Sequence, residues 1–206
     1  MRGRPIFCLA ATIVSIAVVG AREIDGQEKS KKPLIEVKVL VLNFDPFVPK
    51  PEGGKARLHE ALKWNDPRKL VDGYIADLNQ ATAGTVRLNV VDWKDVDAFP
   101  RKKDGYRYTA GEYLERHREG KGWHDPDAVD YARVVEENDV VESVGKGAAD
   151  EVWLFGAPYF GYWESAMAGP RSFYVNGGPL PEIRCKRPFQ LRARRGGHVA
   201  LARPSS

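Results

Sequence analysis

Residues 34–44, LIEVKVLVLNF, leave this chain the fewest options. The run alternates at first, then becomes continuously apolar and β-branched. Such a strand has to be covered on both faces, which is the condition of a central strand in a parallel sheet flanked by helices. Asp45-Pro46 stops it, and residues 47–54 form a Pro/Gly loop. Asp45 therefore falls at a strand's carboxyl end, the edge where ligands gather in open α/β sheets. An aspartate in that place also suits a turn whose side chain bonds its own backbone. Both readings of Asp45 stand at this stage.

The pattern continues downstream. Asn65-Asp66-Pro67 sets an N-cap residue before a proline at the first helical position, Leu70, Val71, Tyr74, Ile75 and Leu78 recur at helical spacing, and Gly84 marks the exit. The helix leads to a second strand over 85–93, so strand, helix and strand make a βαβ unit. Residues 55–64, with His59 and Glu60, read as a short helix. Thr109 with Glu112 three residues on caps another over 109–117, and 130–144 returns to helical spacing through Tyr131, Val134 and Val135. A third buried strand is expected over 151–155, parallel to the first. The fold class is α/β, three-layered around a mostly parallel, flavodoxin- or Rossmann-like sheet that is incomplete at the C-terminus. A fourth strand is expected at 171–175 or 183–191.

The ends differ from this body. Arg2 and Arg4 precede an apolar run over 6–19, and Val19-Gly20-Ala21 offers the small residues of a cleavage site, so residues 1–21 read as a signal peptide. Residues 22–33 are a polar, lysine-rich leader, 34–190 the α/β domain, and 191–206 a disordered or out-of-frame tail. The formal charge of +4 comes from the ends: between them, residues 22–183 carry 23 basic against 28 acidic residues, a net −5. An exported, acidic body argues against nucleic acid as a partner. The apolar run is too short for an ordinary span, which excludes a stable membrane anchor once the signal is cleaved. Of the two cysteines, Cys8 lies in the signal, so a mature chain holds only Cys185 and no internal disulfide.

Candidate chemistry centres on residues 150–178, DEVWLFGAPYFGYWESAMAGPRSFYVNGG. The third strand runs into an aromatic, glycine-punctuated loop that holds one acid, Glu164. A carboxyl among rings is pushed towards acid/base use by desolvation, so Glu164 is the first catalytic candidate and Asp45 the second carboxylate. Paired carboxylates at one pocket are what glycoside hydrolysis requires. Tyr159, Tyr162, Trp163 and Asn176 are the candidate ligand-binding surface, flat rings with a few polar groups suiting sugars or other ring-bearing ligands. Asp92, Asp95 and Asp97 lack the glycine and closing glutamate of an EF-hand and read as a solvated turn with helix-capping aspartates. His117 and His124 stand without HExxH spacing, Gly145-Lys146-Gly147 is no phosphate loop, and GYWES is not GxSxG. No metal-ligand set and no cofactor motif can be assigned.

The segments DEVWLFGAPYFGYWESAMAGP, NGGP, WNDPRKLVDGYIAD and DVDAFPRKKDGYRYT resemble a family of exported bacterial proteins of unassigned function, over roughly residues 37–190. The YFGYWESAMAGP run is the most specific part. The resemblance implies export and an α/β architecture. It also implies a continuation past CKRPF that LRARRGGHVALARPSS replaces, so that His198 inherits no role. The expected function is a hydrolase of the cell envelope or exterior, acting on carbohydrate or another extracellular substrate. The alternatives are a secreted binding or surface-interaction domain and a fragment of a metallohydrolase.

Overall fold

Strict alternation along one strand sets up both cores of the molecule. The computed structural model describes residues 34–195; the signal, the leader and residues 196–206 lie outside the described residues. In chain order the elements are β1 (Ile35–Phe44), β2 (Phe47–Pro49), β3 (Lys55–Arg57), α1 (Leu58–Ala61), α2 (Pro67–Ala81), β4 (Val86–Val96), α3 (Ala110–Glu119), α4 (Tyr131–Glu136), α5 (Val140–Gly145), β5 (Glu151–Gly156), β6 (Ser165–Ala168) and β7 (Phe189–Arg195). Val39 and Val41 of β1 pack with Trp153 and Phe155 of β5 under Val71, Leu70 and Tyr74 of α2. Leu40, Leu42 and Phe44 point the other way, into a larger core with Tyr113 of α3, Val134 and Val135 of α4, and Val140 and Val144 of α5. Helices thus cover both faces, and the fold is α/β.

The main sheet has the order β4-β1-β5-β7-β6. β1 pairs parallel with both β4 and β5, and β5 pairs parallel with β7. Only the edge strand β6 runs antiparallel, against β7. A separate hairpin of β2 and β3 leaves and returns at the carboxyl end of β1.

Four expectations are corrected. Residues 55–64 are not one helix: 55–57 pair with β2, and only Leu58–Ala61 is helical. The helical pattern of 130–144 breaks at Asp139, whose φ of 55° lies in the left-handed region, so α4 and α5 are separate. β4 extends through Val96, which puts Asp92 and Asp95 in the sheet rather than in a turn beyond it. The boundary at residue 190 falls inside a strand: β7 runs to Arg195 between β5 and β6, so the first five residues assigned to a tail belong to the sheet. The fourth parallel strand is β7, at the end of the second interval expected, while 171–175 forms no strand and β6 was not foreseen.

Candidate functional site

From β1 the chain crosses to β4 on one side and then returns past β1 to β5 on the other. Where successive connections diverge in this way, the loops part at the strands' carboxyl ends and open a crevice. A shallow hollow of about 20 Å³, room for about one water, lies there, lined by Asn43, Phe44 and Asp45 from the end of β1, His59 and Trp64 from the hairpin return, and Phe155 to Ala157 from the end of β5.

Asp45 is 5 % exposed, and its carboxylate is committed to one partner. Oδ1 accepts the His59 backbone N–H at 3.0 Å, and Oδ2 lies 2.5 Å from the His59 ring Nδ1. The hairpin makes this possible. Leu58 N–H donates to the Pro46 carbonyl at 3.0 Å, and the Arg57 guanidinium donates to the Asp45 carbonyl at 2.9 Å while lying 4.0 Å over the Phe47 ring. These bonds bring residue 59 back onto residue 45. With Nδ1–H directed at the carboxylate, the lone pair sits on Nε2, which has no hydrogen-bond partner among the described residues. His59 was read in the sequence only as a helix residue. Its role depends on the hairpin, which no local motif announces.

Beside the dyad lies a second polar group. Asn43 donates to Asp95 Oδ1 at 2.9 Å, the Trp93 indole N–H to the same oxygen at 2.7 Å, and Arg68 approaches Oδ2 at 3.4 Å. Partial burial pushes the Asp95 carboxyl up, but those two hydrogen bonds and the Arg68 charge outweigh it and hold it below the usual carboxylate range. Asp97 accepts the Phe47 N–H at 2.7 Å and so ties the hairpin to the end of β4.

Glu164 is not part of this crevice. It precedes β6, three strand spacings from β1, which is roughly 14 Å sideways. Its carbonyl accepts from Ala193 N–H at 2.9 Å, and Ala193 is level with Leu154 and hence Leu42. That adds about 10 Å along the strands. The side chain is exposed, without a hydrogen-bond partner among the described residues. Asp45 and Glu164 therefore do not form the expected carboxylate pair.

The four ring and amide candidates also separate. Tyr162 is 6 % exposed and packs between Phe44 and Phe160, so it is core rather than ligand surface. Tyr159 is exposed and stacks on Trp123 at 3.9 Å. Trp163 and Asn176 stay together instead: Trp163 lies against Gly177 and is 5.9 Å from Tyr131, and Asn176 N–H reaches Ser165 Oγ at 3.4 Å. Tyr131, pushed up to about 12 by burial, keeps a neutral hydroxyl that accepts the Trp163 N–H at 2.7 Å. Phe173, Tyr174 and Val175 extend this patch into solvent, Tyr174 being 78 % exposed.

Among the described residues, no group of three or more His, Cys, Asp or Glu side chains converges as a metal site, and no helix is long and apolar enough to cross a membrane. Comparisons with protein-family models, curated proteins and solved structures find no match to this chain.

Proposed function

We propose that the chain is an exported hydrolase whose general base is His59, oriented by Asp45. The observation that carries this reading is the doubled contact between them, at 3.0 and 2.5 Å, made by a buried aspartate at the carboxyl edge of the sheet. A turn-forming aspartate has no need of an imidazole. A buried carboxylate on Nδ1 holds the ring in one tautomer and stabilises the imidazolium that forms in a reaction. Nε2 takes a proton from water as the water oxygen bonds to an acyl carbon. It then returns that proton to the departing alkoxide, leaving an acid and an alcohol. An ester fits better than a glycosidic bond, because Glu164 lies a sheet's width away and Asp95, beside the dyad, is already tied up by Asn43, Trp93 and Arg68.

Export is supported by the arginine-flanked apolar run with small residues at 19–21, and a carbohydrate-borne substrate by the exposed Tyr159 ring two residues after Ala157, which lines the crevice. The parallel order β4-β1-β5-β7 supports a flavodoxin-like variant of the doubly wound sheet, whose ligand site falls between the first and third parallel strands. Hydrolysis of para-nitrophenyl acetate and of acetylated glucose and xylose by the purified chain tests the reading. His59→Gln and Asp45→Asn are each expected to lower kcat about 10²–10⁴-fold, with thermal melting as the control on folding. A wild-type rate no higher than that of His59→Gln would overturn it. That result favours the second reading, a secreted binding domain, for which the exposed Trp163, Phe173, Tyr174 and Val175 patch speaks.

A further inference from the structure

The loop after β5 borders a second hollow, about 250 Å³, which Asp127 also lines. We infer that this hollow is a binding subsite for a neutral, hydroxyl-bearing ring of the sugar class, an inference that rests on the hydrolase reading above. Ala157 lines both hollows, so a ring seated here carries its substituents towards His59.

The loop is held from beneath at successive peptides. The Tyr113 hydroxyl donates to the Pro158 carbonyl at 2.9 Å, the Lys102 ammonium to the Tyr159 carbonyl at 2.6 Å, and Val129 N–H to the Gly161 carbonyl at 3.1 Å. Gly161 adopts a φ of +83°, and a Cβ there would meet Val129 N at 2.7 Å, so only glycine fits so close to the segment beneath it. Tyr159 is kept at a φ of +61°, in the left-handed region that a tyrosine adopts only under outside constraint. The constraint is Lys102, whose side chain is 0 % exposed and whose ammonium also pairs with Asp127 Oδ1. One buried cation therefore fixes both the ring-bearing residue and the acid that lines the hollow with it.

The chemistry on offer suits neutral polyols. One face of Tyr159 is covered by Trp123, at an interplanar angle of 9°, which leaves the other as a flat apolar platform backed by a second ring. Asp127, compensated by Lys102, offers acceptor capacity without a net charge that would select cations. The amides of Tyr159 and Gly161 have no acceptor among the described residues. Donors, an acceptor and a stacking face together match a neutral hydroxylated ring, for which the compensated Asp127–Lys102 pair offers acceptor capacity rather than net charge.

The test is calorimetric titration of the full chain with the linear tetrasaccharides of glucose, xylose and N-acetylglucosamine, alongside tryptophan fluorescence. Saturable binding of at least one sugar, with a change in Trp123 emission, is expected. Tyr159→Leu should weaken it about tenfold or more, a typical loss for a stacking contact when a sugar sits on one ring. Asp127→Asn should do the same wherever it folds, and Tyr159→Leu decides where it does not. Binding that depends on Tyr159 upholds the subsite even if His59→Gln still hydrolyses esters. No binding of any of the three, or binding that Tyr159→Leu leaves unchanged, overturns it, and His59-dependent hydrolysis would then stand alone.

Discussion

Asp95 and Lys102 show how single side chains are paid for here by neighbours rather than by solvent. The Asp95 carboxyl is held below its usual range by Asn43, Trp93 and Arg68 in spite of partial burial. Because the folded-state value is depressed, the stability it contributes is complete above the ~3.9 of an unfolded aspartate and is lost as pH falls through the lower folded value. Acid unfolding of Asp95→Asn, followed by circular dichroism, should therefore show a weaker dependence on pH below about 4 than the wild type. Lys102 is the reverse case, its ammonium pushed down by burial against the upward pull of Asp127. Lys102→Met keeps the volume but strips the Tyr159 carbonyl and Asp127 of their donor, and an unmet buried bond costs about 1–3 kcal/mol. Denaturant unfolding would measure this, and an unchanged midpoint would deny the pinning role. Neither arrangement was legible in the sequence. Asp95 read as a turn residue because its partners, Asn43 and Arg68, come from β1 and α2, and Lys102 lay in a charged loop that gave no hint of burial.

At the scale of elements, legibility followed local chemistry. β1 and β5 were visible because both faces are apolar, and α2 because Asp66 caps it, accepting Arg68 N–H at 2.8 Å ahead of Pro67. Thr109 and Glu112 form the capping box at the start of α3 as their spacing suggested. Asp66→Ala is accordingly expected to cost about 1 kcal/mol in thermal or denaturant unfolding, and no loss would mean that packing of the apolar stripe alone sets where α2 begins. β7 was only partly visible, its first three residues falling in the second interval expected and the rest read as tail, for an equally physical reason. FQLRARR alternates, but its second face is arginine: the Arg194 guanidinium lies 3.9 Å over Tyr74 and 5.6 Å from Trp153, so the arginine stem does the work of an aliphatic residue. A reading that scores arginine as solvent-facing turns such a strand into a tail. β6, four residues long, owes its existence to β7 and carries no signal of its own.

The position of β7 in the whole molecule makes that misreading consequential. Leu191 is buried between β5 and β6, and the entire segment from β5 onwards, aromatic loop included, closes back on the sheet through this one strand. If β7 were an appendage, a chain ending at Gln190 would keep the crevice at His59 and the platform at Tyr159. With β7 as an interior strand, the same truncation strips β5 of a parallel neighbour, leaves β6 with nothing to pair, and exposes Phe155 and Trp153 backbone along a flat edge of the kind that aggregates. A stop after Gln190 should therefore abolish the cooperative thermal transition expected of the full chain, with tryptophan emission shifted to the red. A truncated chain that melted as the full chain does would show that the sheet is complete without β7 and that the site at its carboxyl edge depends on β4, β1 and β5 alone.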